Sequence, residues 1–204
     1  MKVLLVNGSP HEKGCVYTAL TEIADTLKSE GLDSEIFWIG NRPVQGCIGC
    51  WQCREKGTCA FQDELYTGFI EKMKNSDGII IGSPVYYAGP NGSLCALLDR
   101  VFFSGSEFLR RKPGACVVNC RRGGASAAFD RLNKYFTILQ MPVVSSQYWN
   151  STHGTTPEEV KEDEEGLQTM RTLARNMAYL LKSNAVSGIG LPPSEPLLRT
   201  NFIR

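Results

Sequence analysis

Along this chain, short apolar runs alternate with longer stretches whose apolar positions recur every three or four residues. Val3-Leu4-Leu5-Val6 is the first run. It is too short for a helix and β-branched at both ends, which predicts a buried strand. Val16, Ala19, Leu20, Ile23, Ala24 and Leu27 then follow at helical spacing. Ser34 to Ile39 predicts a second strand. Asp63 to Lys74 predicts a short amphipathic helix with Leu65, Phe69, Ile70 and Met73 on one face. Asp77 to Gly82 predicts a third strand, followed by a helix through Leu94, Leu97, Leu98, Val101 and Phe102. Ala115 to Asn119 predicts a fourth strand, with a helix ending near Phe136, and Met141 to Ser145 a fifth. Thr156-Pro157-Glu158-Glu159 has the form of a capping box with proline at the first helical position. It predicts a last helix to about Lys182, with an extended tail from Ser187.

Continuously apolar strands between helices predict a parallel sheet covered on both faces. The expected architecture is an α/β three-layer sandwich with a five-stranded parallel sheet in the order 2-1-3-4-5. A ligand is expected at the switch between strands one and three. With no repeat and no linker, residues 1–184 are expected to form one domain, and 185–204 its extended tail. Apolar residues make up 42% of the 204, enough for a full core. The net charge is +1 with no basic run, which argues against nucleic acid or an anionic membrane as partner. No run of eighteen apolar residues exists and the N-terminus reads as a strand, so a cytoplasmic protein is expected.

Three loops carry candidate chemistry. The first, Asn7-Gly8-Ser9-Pro10 and on to Gly14, leads from a strand into a helix. A helix start offers unpaired N–H groups and positive dipole, and Ser9 and Thr18 add hydroxyls, so the loop suits a phosphate. It is neither a dinucleotide fingerprint nor a Walker loop. A terminal monophosphate suits it better than a buried pyrophosphate. The second loop, Ser83 to Gly92, holds Tyr86 and Tyr87 side by side at a strand end, where stacking on a flat ring accounts for them. The third, Cys120 to Ala125, offers backbone N–H groups at Gly123 and Gly124 beside Arg121 and Arg122. A monophosphate site, an aromatic shelf and a glycine loop on one edge describe a pocket for flavin mononucleotide (FMN).

Gly8-Ser9-Pro10, Pro84-Val85-Tyr86-Tyr87 and Leu98-Asp99-Arg100 resemble the NADPH-dependent FMN reductase and iron–sulfur flavoprotein branch of the flavodoxin-like superfamily, over about residues 1–182. The resemblance implies that Ser9, His11 and the segment Cys15, Val16, Tyr17 and Thr18 hold the FMN phosphate. Pro84, Val85, Tyr86 and Tyr87 would border the isoalloxazine, and Arg122, Gly123 and Gly124 its pyrimidine side. Where members of that branch often carry Gly-Asn-Thr, this chain has Gly14-Cys15-Val16, so a hydroxyl is absent at Val16 and Thr18 is its expected replacement. The activity implied is NAD(P)H oxidation by FMN, with electrons passed to a quinone, flavin or similar small acceptor. The alternative is an electron carrier serving a protein partner; a third is a metal-binding scaffold without flavin.

Four of the eight cysteines, Cys47, Cys50, Cys53 and Cys59, form C-x2-C-x2-C-x5-C. This spacing suits a [4Fe-4S] cluster and resembles the iron–sulfur flavoprotein motif. Zinc satisfies the same spacing, and plain thiols shaping a loop are a further reading. Cys15, at a helix start, is expected to have a lowered thiol pKa. Cys95 and Cys116 are expected in the core, and His153 at the edge of the site. An aromatic shelf and a cysteine loop on one edge leave apolar surface for a second subunit, as a homodimer or homotetramer.

Overall fold

The computed structural model describes residues 1–193, 195, 196, 198–200 and 202, so the tail expected over 185–204 lies partly outside the described residues. Strands β1 (Lys2–Asn7), β2 (Asp33–Trp38), β3 (Gly78–Tyr86), β5 (Gly114–Cys120) and β6 (Ser151–His153) form a parallel sheet in the order β2-β1-β3-β5-β6. Strand β4 (Gly89–Pro90) folds back antiparallel on the end of β3. The helices are α1 (Cys15–Ser29), α2 (Gln52–Lys56), α3 (Glu64–Lys74), α4 (Gly92–Ser104), α5 (Ser106–Leu109), α6 (Ala125–Ile138), α7 (Pro157–Glu162) and α8 (Glu164–Val186). Among the described residues no helix is long and apolar enough to cross a membrane.

The apolar runs work because alternate strand residues face opposite layers. Leu4, Val6, Ile79, Ile81 and Val118 pack against α3, α4 and α6 through Phe69, Leu97, Val101 and Phe136. Val3, Leu5, Ile80 and Val117 pack against α1 and α8 through Leu20, Ile23, Leu173 and Met177. The central strands are therefore buried on both faces, as their lack of polar alternation requires. Asn7 pairs with Trp38 on one side and Gly82 on the other, so three strand ends reach the same edge together.

Two expectations shift in detail. The fifth place in the sheet is filled in two pieces. Val143 makes only an isolated bridge to Gly114, and the strand proper is Ser151–His153. Between them Ser146 Oγ donates to Tyr148 O at 2.6 Å and to Asn150 Oδ1 at 2.7 Å, local bonds that compete with the ladder. Asn150 is buried and restores the pairing, donating from Nδ2 to Cys116 O at 3.1 Å. The last helix keeps its capping box at Thr156 and Glu159 but breaks at Asp163. Asp163 accepts from Gly166 N at 2.9 Å and so caps a separate α8.

Candidate functional site

The loop leaving β1 is fixed before any ligand arrives. Asn7 is buried; its Nδ2 donates to Glu12 O at 2.8 Å and its Oδ1 accepts from Ser9 N at 3.1 Å. Ser9, also buried, accepts from His11 N through Oγ at 3.1 Å and from Trp38 Nε1 through its carbonyl at 2.8 Å. Gly8 N donates to Gly82 O at 2.9 Å, and Asn91 Nδ2 donates to Gly8 O at 2.8 Å. The loop is thus tied to the ends of β2 and β3 and the start of α4. A Cβ on Gly8 would stand 2.5 Å from Leu94 Cδ2 and 2.7 Å from Gly82 O, so no larger residue fits without moving the backbone.

The loop delivers the chain to α1, whose N-cap Gly14 makes no side-chain cap and whose first turn has no acidic residue. That end offers an anion its N–H groups and dipole, with Glu158 and Glu159 of the α7 start as the nearby negative charge. His11 is exposed at the rim, while Cys15, Tyr17 and Thr18 are half-buried. Thr18 Oγ1 turns back to donate to Gly14 O at 3.3 Å. Val16 is a core residue: it is buried, and its Cγ1 lies 2.7 Å from where a Cβ on Gly82 would stand. Position 16 can therefore offer its backbone N–H while its side chain fills the core. Cys15 departs from expectation. Burial, with Glu159 and Glu158 nearby, raises its thiol pKa and outweighs its own backbone N–H.

The second loop is a two-residue hairpin. Val85 pairs with Pro90 and Tyr86 with Gly89, and the turn residues Tyr87 and Ala88 have φ of 50° and 59°. Positive φ at both positions marks a type I′ turn, which glycine or asparagine usually occupies. Holding two other residues there stores strain of about 1–3 kcal/mol each. Tyr86 is 45% exposed and Tyr87 wholly exposed, while Pro84 and Val85 are half-buried.

The third loop closes against this turn. A Cβ on Gly124 (φ 89°) would stand 2.9 Å from Ala88 Cα and 3.1 Å from Val85 Cγ1, so glycine is required there twice over. Gly123 has open space around it, and Arg121 and Arg122 are exposed. The turn is pinned from below by buried Cys120, whose thiol pKa burial raises even though the Arg122 and Ala125 N–H groups point to it. His153 stands at the same sheet edge, its N donating to Asp163 Oδ2 at 2.6 Å and its Nδ1 lying 3.5 Å from that oxygen. Cys116 is buried and Cys95 half-buried.

The cysteine segment is built differently. Residues 43–51 carry no regular structure, and α2 starts from Trp51 at φ 65°. All four cysteines are thiols lining one pocket, with Cys47 and Cys50 exposed and Cys53 and Cys59 half-buried. Burial raises the Cys53 pKa, and the other three thiols add to it. Among the described residues, no three His, Cys, Asp or Glu side chains are gathered closely enough to hold an ion as they stand. In donor chemistry the set still fits: four soft sulfurs face one space, and a buried cation, Arg100, forms part of its wall.

Arg100 anchors both flanks of the segment. From α4, Nη1 donates to Gln45 O at 3.2 Å, and Nη2 to Phe61 O and to Asp63 Oδ2, each at 2.5 Å. Tyr66 helps, its hydroxyl accepting from Cys59 N at 3.0 Å and lying 2.7 Å from Ser104 Oγ. Sequence reasoning missed these anchors, as it missed Asn7, Trp38 and Asn91. A polar residue closing an apolar strand, as Asn7 does, was the one available signal.

Residues 1–156 match the family model described as NADPH-dependent FMN reductase. An iron–sulfur flavoprotein of Methanocaldococcus jannaschii is 32% identical over 190 residues, covering 89% of this chain and 98% of that one. An iron–sulfur flavoprotein of Archaeoglobus fulgidus is 32% identical over 197 residues, 90% of this chain and 96% of the relative. Among solved structures, a flavone reductase superposes with a TM-score of 0.68 at 14% identity, covering 93% of this chain and 66% of that one. A flavodoxin from the domain Archaea gives 0.61 at 14% identity, covering 89% of this chain and 99% of the other. At such identity the structural likeness speaks for the fold, which is flavodoxin-like. A family match over this much of the chain makes it a member of the NADPH-dependent FMN reductase family.

Proposed function

We propose that this protein is a flavoprotein oxidoreductase that binds FMN, takes electrons from NAD(P)H and passes them to a small acceptor such as a quinone or flavin. The convergence of three loops at the ends of β1, β3 and β5 carries this reading, with an uncapped helix start at one end and two exposed tyrosine rings at the other. In it, the N–H groups of Cys15, Val16 and Tyr17 and the hydroxyl of Ser9 grip the phosphate, with His11 and Thr18 at its rim. Pro84, Val85, Tyr86 and Tyr87 border the ring, and the main chain at Arg122, Gly123 and Gly124 donates to its pyrimidine side. When bound, FMN supplies the hydride and electron chemistry, so no protein acid or base is needed for that exchange. The residues' work is to hold the ring in one orientation and leave one face open to the nicotinamide.

The four-cysteine pocket favours a second function within the same fold, an iron–sulfur flavoprotein that passes electrons to a protein partner. Cys47, Cys50, Cys53 and Cys59 would hold a [4Fe-4S] cluster, and the relatives' names support this choice over zinc or plain thiols. Ile48, Trp51 and Phe103, 61%, 56% and 39% exposed, offer an apolar face beside the pocket, consistent with a homodimer or homotetramer. We further propose residues 1–184 as the functional domain and the cytoplasm as its location.

Purified protein saturated with FMN should show a flavin spectrum, and anaerobic mixing with NADH or NADPH should bleach it within seconds. Failure to take up FMN at saturating concentration overturns the proposal. Easy reduction by a ferredoxin without bleaching by pyridine nucleotide selects the carrier. Iron and sulfide analysis after anaerobic reconstitution tests the cluster.

A further inference from the structure

Arg100 is more deeply buried than its partners justify. The residue is 1% exposed, and taking a charge out of water costs several kcal/mol unless it is well paired. Its carboxylate partner, Asp63, has a side chain 45% exposed and also accepts from Tyr66 N at 3.0 Å to cap α3. A half-hydrated carboxylate shared with a helix end is weak compensation for a dry guanidinium. Nη1 and Nη2 find oxygens, but Nε does not. It is the one buried side-chain nitrogen or oxygen without a hydrogen-bond partner among the described residues. The same side chain lines the pocket of the four cysteines. A guanidinium cannot shed its proton in a protein, so the buried charge is permanent.

We propose that Arg100 is the positioning and charge-balancing residue of a [4Fe-4S] cluster held by Cys47, Cys50, Cys53 and Cys59, bringing to their pocket one unpaired N–H and a buried positive charge that a half-exposed carboxylate only partly offsets. This rests on the iron–sulfur form of the proposed function. Four thiolates outweigh the cationic metal core, so the loaded site is negative, and one electron from an external reductant makes it more so by one charge. The guanidinium is already protonated, so no proton accompanies that electron. A fixed positive charge and a hydrogen bond to sulfur both favour the reduced state and raise the potential. Asp63 opposes this by drawing the guanidinium charge toward itself. The Nη fork of the same side chain holds Gln45 and Phe61, on either side of the cysteines, so it also sets where they stand.

The test is a redox titration of anaerobically reconstituted protein, loaded with ferrous iron and sulfide and reduced with dithionite. Iron and sulfide are counted per chain in the wild type, Arg100→Gln, Arg100→Lys and Asp63→Asn. Arg100→Gln should lower the one-electron reduction equilibrium about tenfold, which is about 59 mV. Arg100→Lys keeps the charge but loses the planar fork, and should fall between it and the wild type. Asp63→Asn should raise the potential, since asparagine still caps α3 while the competing charge is gone. A merely structural arginine gives no such opposite signs. A wild type that binds no iron and sulfide overturns the cluster and this inference together. A loaded wild type with both neutral variants unshifted, or shifted the same way, overturns this inference alone. Should Arg100→Gln not fold, Asp63→Asn decides: a raised potential supports the assignment and an unchanged or lowered one overturns it.

Discussion

The loop after β1 and the cysteine segment have the same task, presenting polar groups at a surface, and are held in opposite ways. The first is braced by many short-range bonds and has no spare volume: Asn7 to Glu12, Ser9 to His11, Gly8 against Leu94 and Gly82. The second is open around Gly49 and Gly57 and hangs on a few distant side chains, Arg100 foremost and Tyr66 with it. A dense local frame gives a rigid cradle whether or not a ligand is bound. Sparse remote anchors leave the cysteines room to close on whatever they hold. The difference predicts that the two regions fail differently when changed.

The largest effect should come from adding volume to the dense frame. In Gly8→Ala the new methyl meets the Gly82 carbonyl at 2.7 Å, and that carbonyl is itself held by Gly8 N, so the clash cannot relax locally. Denaturant unfolding should show a loss of about 3 kcal/mol, the upper end for overpacking, with FMN uptake lost. A loss under about 1 kcal/mol would mean that the frame is softer than its contacts imply.

Removing a hydrogen bond from the same frame comes next. Ser9→Ala leaves the His11 N–H without its partner, at a cost of about 1–3 kcal/mol in stability. FMN affinity should fall about tenfold, or about 1.4 kcal/mol, while riboflavin, which lacks the phosphate, binds unchanged. Equal losses for the two ligands would place the phosphate elsewhere.

The matching change in the open region should do less, and for another reason. Gly49 has φ 66° and nothing within 4 Å of an added Cβ. Gly49→Ala should therefore cost about 1 kcal/mol, all of it backbone strain, and Gly49→Asn should recover part of it. A clash-sized loss would show that the segment packs more tightly than the glycine environment indicates.

The same contrast separates what could be read from the sequence from what could not. Strand, loop and helix around Gly8-Ser9-Pro10 are local signals, and so is the apolar alternation that orders the sheet. Large rings at a strand end draw attention to Tyr86 and Tyr87 in the sequence; that neither packs inward against a helix only the structure shows. Elsewhere burial or side-chain bonding decides what a local rule does not. Cys15 sits at a helix start, yet desolvation raises its pKa. The Val16 side chain is in the core, which leaves only its backbone N–H for the phosphate expected there. The fifth strand is interrupted by side-chain bonds of Ser146 that no periodicity reveals. Arg100 was out of reach for a different reason: its partners lie 37 to 55 positions away, so no window of the sequence contains both ends.

The smallest effect sharpens the comparison through acid. The Asp63 carboxyl is held below its ordinary pKa: burial would raise it, but the Tyr66 N–H and the Arg100 guanidinium outweigh burial. A carboxyl with a lowered folded pKa contributes stability above its unfolded value, about 3.9, and that contribution is lost as pH falls through the folded value. The Asp63 side chain is 45% exposed, so solvent screening keeps the contribution modest. The gap in stability between wild type and Asp63→Asn should thus be constant above about pH 5 and shrink as pH falls below about 4. Limited proteolysis over residues 41–62 should follow the same curve, because protonated Asp63 loosens the Arg100 grip on that segment. Cleavage near Ser9 should not follow it, since among the described residues no ionisable side chain bonds that loop. A gap that widens in acid would mean that Arg100 holds the segment without help from Asp63.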